Sequence, residues 1–329
     1  MRITRWRWLL VVPVLAFCLA PAAAQDRLTV KFDFLPYGSH APFWLAQDKG
    51  WFKDAGVEPS FEDGQGSTVA VQLISAGKID VGYVSLGAVI VARDKGVPVK
   101  AIAGILRKND YGVLVGENTD IHVPKDLEGK LLYFSPSSVE TFYMDLFFKK
   151  NGVDKSKINL TSIDLSTKVS TYMSGKGDAM FVPIPIYTIR AAPRLSRGIL
   201  FADYGIPMPG FGLISSDDII AQKPKALGAF VAAMQKAWGT VQQDPAMRVA
   251  AIDALLANRP QAKLDRTIVT QQLDSVLPFL VTPGTEGKPL LWQSPAEWEG
   301  AIAINEEAGA IRPGAKATDF YTNQFVPEK

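Results

Sequence analysis

The same train of motifs runs through the chain twice. Ala55-Gly56-Val57 is followed by Ala76-Gly77-Lys78-Ile79-Asp80-Val81-Gly82, and Asn151-Gly152-Val153 by Ser174-Gly175-Lys176-Gly177-Asp178-Ala179-Met180. In each copy a helix ends at a Gly-Val turn, a polar strand follows, and a second helix stops at Gly-Lys before an apolar strand. The units upstream match as well: Leu28 to Ala46, with Ser39 in its loop, parallels Lys130 to Phe147, with Ser137 and Ser138 in its loop. A solenoid needs three or more repeats, so one duplication points to two similar lobes. Strands alternating with short helices give each lobe a mainly parallel α/β sheet.

Local pattern fills in the elements. Val30, Phe32 and Phe34 alternate with Lys31 and Asp33, which predicts a strand over Leu28 to Leu35. Pro36 to Ser39 break it, and a helix starts near Pro42 and stops at Gly50. Trp44 sits mid-helix as a core residue. Glu58 to Phe61 and Val81 to Val84 read as strands, with a helix after Gly66-Ser67-Thr68 between them. Residues 99–116 read as two strands joined by a polar turn, a crossover, and the Gly- and Pro-rich stretch 200–214 as the way back. The division expected is 25–108 for the first part of lobe 1, 109–204 for lobe 2, and 205–329 for the return to lobe 1 plus C-terminal helices. Phe230, Met234, Trp238 and Val241 share one face of a helix over Lys225 to Val241. The helical tail is expected to pack on the first lobe.

Residues 1–24 have the layout of a secretory signal: Arg2, Arg5 and Arg7, an apolar run from Leu9 to Leu19, then Ala22-Ala23-Ala24. The apolar run is short for a membrane span. Cleavage after Ala24 and a periplasmic location are the expectation. The whole chain has 35 basic and 33 acidic residues; losing three arginines and no acid leaves 32 against 33, a net charge of −1. The one cysteine, Cys18, leaves with the signal, so disulfides and thiolate chemistry leave too. Phe17 before it is too large for a lipoprotein acceptor site. A near-neutral chain carries no basic footprint for nucleic acid. At 329 residues and 47% hydrophobic, it is a folded chain of about two domains.

Catalysis is hard to build from this inventory. His40 and His122 are the only imidazoles, and His122 lies in a polar stretch before Pro124, a surface loop reading. No nucleophile elbow, phosphate loop or metalloprotease helix occurs. No catalytic residue, metal site or cofactor is assigned. Binding is easier. Ser39 and His40 stand where the first strand turns into the first helix, and His40 meets a polar ligand, caps the helix or hydrogen-bonds its own loop. Ser135, Ser137 and Ser138 hold the matching place in the second lobe, where Ser137 also has capping-box spacing to Glu140. Ser85 ends its strand at the same edge. Asn109 and Tyr111 lie in the crossover. Phe34, Tyr37 and Tyr187 supply rings that stack on a flat ligand, and Pro183 with Pro185 holds an irregular rim. Tyr204 and Phe211 are further aromatics without an obvious core place.

The stretch Asp33-Phe34-Leu35-Pro36-Tyr37-Gly38-Ser39-His40-Ala41-Pro42-Phe43-Trp44-Leu45-Ala46, with Lys49-Gly50-Trp51-Phe52, resembles the opening of periplasmic solute-binding proteins of ABC importers. Gly77-Lys78-Ile79-Asp80, Gly96-Val97-Pro98-Val99, Pro124 to Lys130 and Gly177-Asp178 fit the same order, so the resemblance covers roughly residues 28–245. The branch it looks most like binds the pyrimidine precursor of thiamine and is a sister of the nitrate, sulfonate and taurine binders. The resemblance implies a two-lobed, type II-like periplasmic-binding-protein fold with the ligand cleft between lobes. It implies a monomer that hands a small molecule to an inner-membrane permease with its ATPase. The family's motif histidine carries over to His40 and its preceding tryptophan to Phe34. Its asparagine is Tyr37 here. Where pyrimidine binders show an aromatic after the second Gly-Asp strand, this chain has Val182-Pro183-Ile184. Sulfonate, taurine, nitrate, flavin and aromatic acids are the alternative ligands. A related eukaryotic enzyme that makes the thiamine pyrimidine is the alternative of another class; it carries a cysteine-rich loop. A sensor without transport is a third.

Overall fold

The computed structural model describes residues 25–136, 138–190 and 192–328. The expected signal segment, with Cys18 and the site after Ala24, lies outside them, as does Ser137.

Two five-stranded sheets form the molecule. In chain order the strands are β1 (Asp26–Lys31), β2 (Val57–Glu62), β3 (Val81–Ser85), β4 (Val99–Gly104), β5 (Tyr111–Gly116), β6 (Leu131–Phe134), β7 (Asn159–Ser162), β8 (Ala179–Pro183), β9 (Ser196–Leu200) and β10 (Phe211–Ser216). The first sheet has the order β2-β1-β3-β10-β4 and the second β7-β6-β8-β5-β9. The helices are α1 (Ala41–Asp48), α2 (Trp51–Asp54), α3 (Ser67–Ser75), α4 (Leu86–Asp94), α5 (Glu140–Lys150), α6 (Leu165–Met173), α7 (Asp217–Gln222), α8 (Pro224–Gln243), α9 (Pro245–Asn258), α10 (Arg266–Val276) and α11 (Pro295–Glu307).

The duplicated motifs map onto equivalent places. β1, β2 and β3 are parallel neighbours in the order 2-1-3, and β6, β7 and β8 repeat that order in the second sheet. The repeated aspartate has one physical task in both. Asp80 Oδ2 accepts the Thr29 N–H at 2.8 Å, and Asp178 Oδ2 accepts the Leu131 N–H at 2.8 Å. Each ties the start of its strand to the central strand beside it. The glycines before them, Gly77 and Gly175, have φ of +67° and +90°. Only glycine takes that left-handed turn without strain, and it ends each helix.

Each sheet then receives one antiparallel strand from across the molecule. β5 pairs with β8 and β9, and β10 with β3 and β4. The two crossing segments, 105–110 and 201–210, run side by side. Asn109 N–H donates to Met208 O at 2.7 Å, and Gly210 N–H to Leu106 O at 2.9 Å. The fold is the two-lobed, type II-like α/β architecture.

Predicted elements and observed ones agree closely, with one instructive difference. The alternation predicts a strand to Leu35, yet β1 ends at Lys31. Beyond it, the carbonyls of Asp33 and Phe34 turn aside and accept the Gly66 and Gly64 N–H groups at 2.7 and 3.0 Å. Phe211 is fully buried in the core, and Trp44 stacks edge-on against Phe61. His122 is exposed.

The tail does pack on the first lobe. Phe230, Met234, Trp238 and Val241 of α8 are fully buried there. It also reaches further. α10 backs the turn at Gly38: a Cβ on Gly38 would stand 2.3 Å from Val269 O and 2.6 Å from Leu273 N. Gly38 N–H donates to Gln272 Oε1 at 3.0 Å, and Gln272 Nε2 donates to Ile186 O of the second lobe at 3.3 Å. On α11, Asn305 Oδ1 accepts the Tyr143 hydroxyl of α5 at 3.2 Å, another contact between lobes.

Gly38→Ala is therefore expected to push α10 off the loop and to destabilise by about 1–3 kcal/mol, the usual range for overpacking. Urea unfolding measures it; an unchanged midpoint would contradict the close approach of α10.

Candidate functional site

Between the lobes lies a closed-in cavity of about 30 Å³. That holds one or two waters and not a heteroaromatic ring. Its wall is made at the carboxyl ends of parallel strands in both sheets, where such folds place ligands. From the first lobe come Asp33, Phe34 and Tyr37 after β1, and Gly66 and Ser67 after β2. From the second come Ser138 after β6, Leu165 and Lys168 after β7, and Val182, Pro183, Ile186 and Tyr187 at and beyond the end of β8. Tyr111, the first residue of β5, closes the ring.

Half of the sequence-predicted residues are in that wall. Phe34, Tyr37, Tyr111, Ser138, Pro183 and Tyr187 line the cavity. Tyr111 Oη and Ser138 Oγ are 3.3 Å apart. Five others are buried just behind it. Asn109 Oδ1 accepts the Tyr111 N–H at 3.0 Å and so fixes the start of β5. Ser85 N–H donates to Ser67 Oγ at 3.1 Å, so Ser85 holds a wall residue without being one. Ser135 N–H donates to Glu140 Oε1 at 3.1 Å. Ser39 Oγ is buried without a hydrogen bond.

His40 makes the hydrogen bond within its own loop that is one of the readings open from sequence. Its side chain makes no cap on α1. It is fully buried, with its ring stacked on Phe32 at 4.1 Å and tilted against Tyr37 at 4.2 Å, and it is not in the cavity wall. Its Nε2 lies 3.0 Å from Asp33 Oδ1. An ionised carboxylate only accepts, so Nε2–H is the donor. The Tyr37 hydroxyl donates to the same carboxyl at 3.3–3.4 Å. His40 thus orients Asp33, and Asp33 faces the cavity. The capping box expected between Ser137 and Glu140 involves Ser137, which lies outside the described residues; Glu140 itself is described. That residue opens α5 rather than standing three residues inside it, and its side chain turns inward.

Glu140 has another partner. Lys168 Nζ donates to Glu140 Oε1 at 2.5 Å, with both side chains fully buried. Lys168 was invisible as a site residue because a lysine in Leu165-Ser166-Thr167-Lys168-Val169 reads as a solvated face. The usable signal is its spacing: Lys168 and the fully buried Tyr172 are four apart, on one helix face.

Acid and phenol groups crowd the site. Asp110, in the crossing segment one residue before Tyr111, is 2% exposed, and its Oδ1 has no hydrogen-bond partner. Burial, and then the charge of Asp33, push its carboxyl up to about 8. Burial also pushes the hydroxyls of Tyr37, Tyr83, Tyr111 and Tyr187 upward, with the Asp33 charge adding to each. These phenols stay neutral and present oxygens and ring faces.

Two outcomes follow. Lys168→Met leaves Glu140 buried without its cation and should cost about 3–5 kcal/mol. The double variant with Glu140→Leu should recover much of that in the same denaturation assay; equal loss in both would argue against the pair. Asp110 binds a proton when folded that it releases when unfolded near neutral pH. Stability should therefore fall as pH rises from the ordinary carboxyl range through about 8. Asp110→Asn should flatten that slope between pH 5 and 8; an identical slope would remove Asp110 as its source.

Known proteins resemble this chain in sequence and fold. The chain is 24% identical over 329 residues to the riboflavin-binding protein RibY of Chloroflexus aurantiacus, covering 96% of this chain and 91% of that protein. It is 24% identical over 325 residues to a formylaminopyrimidine-binding protein of Halalkalibacterium halodurans, covering 96% of each. A 4-amino-5-hydroxymethyl-2-methylpyrimidine phosphate synthase of Saccharomyces cerevisiae matches at 24% over 68% of this chain and 69% of that protein. The alkanesulfonate-binding protein SsuA of Xanthomonas axonopodis has the same fold, with a TM-score of 0.67 at 15% identity over 90% of this chain and 96% of that one. The model of the family described as NMT1/THI5 like matches residues 38–247, and the chain belongs to that family.

Proposed function

We propose that this protein is the solute-capturing component of an ABC importer, and that its ligand is a small, flat nitrogen heterocycle of the thiamine-pyrimidine-precursor kind. The observation that carries the reading is the wall itself. Two lobes joined by a paired ribbon enclose a cavity faced by Phe34, Tyr37, Tyr111 and Tyr187. Rings of this kind stack on a planar ligand, and their hydroxyls and the Asp33 carboxyl take its N–H groups.

The mechanism is hinge closure. The lobes part about the ribbon at 105–110 and 201–210 and a solute enters against the loop after β1. The second lobe then folds over it, bringing Ser138, Pro183 and Tyr187. Closure removes water and strengthens each polar contact. The closed form then docks on a permease, and the ATPase of that assembly drives release. The protein acts as an exported, periplasmic monomer after cleavage behind Ala24. Among the described residues no helix is long and apolar enough to cross a membrane.

A synthase relative supports a second, enzymatic reading. The one lysine of the wall is held by Glu140 at 2.5 Å, which leaves it poorly placed to react with a carbonyl cofactor. Incubation with pyridoxal phosphate is expected to give no pyrimidine product; turnover would reverse the assignment.

Mass spectrometry of the protein purified without denaturation is expected to find a bound heterocycle. Calorimetry with that compound gives the site its test. Tyr187→Ala should weaken binding by about 1 kcal/mol or more through lost stacking. His40→Ala should weaken it by about 1–3 kcal/mol by freeing the Asp33 carboxyl. Unchanged affinity in both variants would place the ligand elsewhere.

A further inference from the structure

Resting on the solute-binding reading above, we propose that the ligand carries a positive charge when bound, seated among the tyrosine faces beside Asp33, with Asp110 buried behind the wall, and that oxyanions are excluded.

Lys168 is the only basic residue among the described residues of the cavity wall, and Glu140 already holds it at 2.5 Å. A sulfonate or nitrate would find no unengaged cation there. It would meet Asp33 instead, a residue of the wall. An anion beside a carboxylate in a buried site is strongly disfavoured.

The opposite charge is provided for twice. Asp33 receives His40 and Tyr37, which fix its carboxyl. Behind it, Asp110 is buried with one oxygen unpartnered. A buried acceptor without a partner is rare and calls for an explanation. Both carboxyls act on Tyr37 and Tyr83, so they share one neighbourhood. Two carboxylates so placed cannot both ionise without a cation between or beside them. The rings of Tyr37, Tyr111 and Tyr187 add negative quadrupole faces, which favour a cation in a dry site.

The coupling has a signature. At neutral pH the Asp110 carboxyl, raised to about 8, holds a proton in the unliganded protein. The groups that set this are its own buried position, Asp33, and the phenols of Tyr37, Tyr83 and Tyr111 around it. A bound cation removes the reason for that proton and releases it. A neutral ligand does not.

The test keeps one ring and changes its charge. Benzamidine, benzamide and benzoate carry +1, 0 and −1 charges on the same flat skeleton. Calorimetry with the mature protein at pH 7 should show benzamidine binding about tenfold or more tighter than benzamide, the scale of a desolvated cation–π contact. Benzoate should not bind. Benzamidine binding in buffers of different ionisation enthalpy should report release of a proton, and Asp110→Asn should abolish that release. Benzamidine failing to bind, or binding no better than benzamide, overturns the proposal. So does tighter binding of benzoate or an alkanesulfonate, which would leave the solute-binding reading standing. Failure of every ring compound, 4-amino-5-hydroxymethyl-2-methylpyrimidine and riboflavin included, would count against both.

Discussion

Neither sheet is completed by the segment that starts it, and the rest of the molecule follows from that. β4 joins its sheet through β10, and β9 joins its sheet through β5. Each of those bridging strands arrives from the other lobe. The two halves therefore cannot form independent parallel sheets on a loose tether. The chain must cross twice, and the crossings lie against each other with hydrogen bonds of 2.7–2.9 Å between segments 105–110 and 201–210. Lys108 and Asp203 add an ion pair at 2.7 Å across the same ribbon. A two-stranded ribbon bends in one direction more readily than it shears. In the hinge closure proposed above, it is the element about which the lobes open and close. It also ends at Asp110 and Tyr111, so the hinge delivers two site residues directly.

That placement explains the unusual burial of charge. A carboxyl in a hinge segment is normally solvated. Asp110 is pinned because its carbonyl accepts the Ile184 N–H at 2.7 Å, directly beyond the end of β8. Its side chain then has nowhere to go but among Tyr37, Tyr83 and Tyr111. Asp33 is pinned from the other side by His40. One carboxyl thus stands in the wall, Asp33, and a second, Asp110, is buried behind it.

The fold was legible because its signals are local and repeated. Helix periodicity on α8, the Gly-Lys stops and the two aspartates before β3 and β8 each reflect a contact made within one lobe. The duplication then says that the lobes share an order. The site was legible only in part, for a physical reason. Tyr37, Tyr111 and Tyr187 announce themselves as rings in loops. Asp33 does not, because in an alternating strand an acid reads as the solvated face. Its role appears only once β1 stops at Lys31 and the Gly64–Gly66 loop takes the backbone that would have continued the ladder. Lys168 needs Glu140, 28 residues upstream, before its burial makes sense. His40 is singled out by its loop, but its partner there, Asp33, is chosen by packing. Sequence position shows where a side chain starts, and the partner that turns it inward comes from packing.

The closed geometry also limits how any ligand can be held. Gln272 to Ile186 and Tyr143 to Asn305 already join the lobes, at 3.3 and 3.2 Å. Hydrogen bonds of this kind are worth about 1 kcal/mol each in net terms. They are enough to bias closure and too few to lock it. A ligand shifts that balance only by the difference in its affinity for the two forms. With about 30 Å³ between the walls, a ring must enter while the lobes are apart and then hold them slightly wider. The contacts that can yield are those of the second lobe's rim, where Pro183 and Pro185 already break regular pairing. The first lobe's loop cannot yield, since α10 presses on Gly38 from behind. On the solute-binding reading proposed above, the first lobe positions the ligand and the second judges its size.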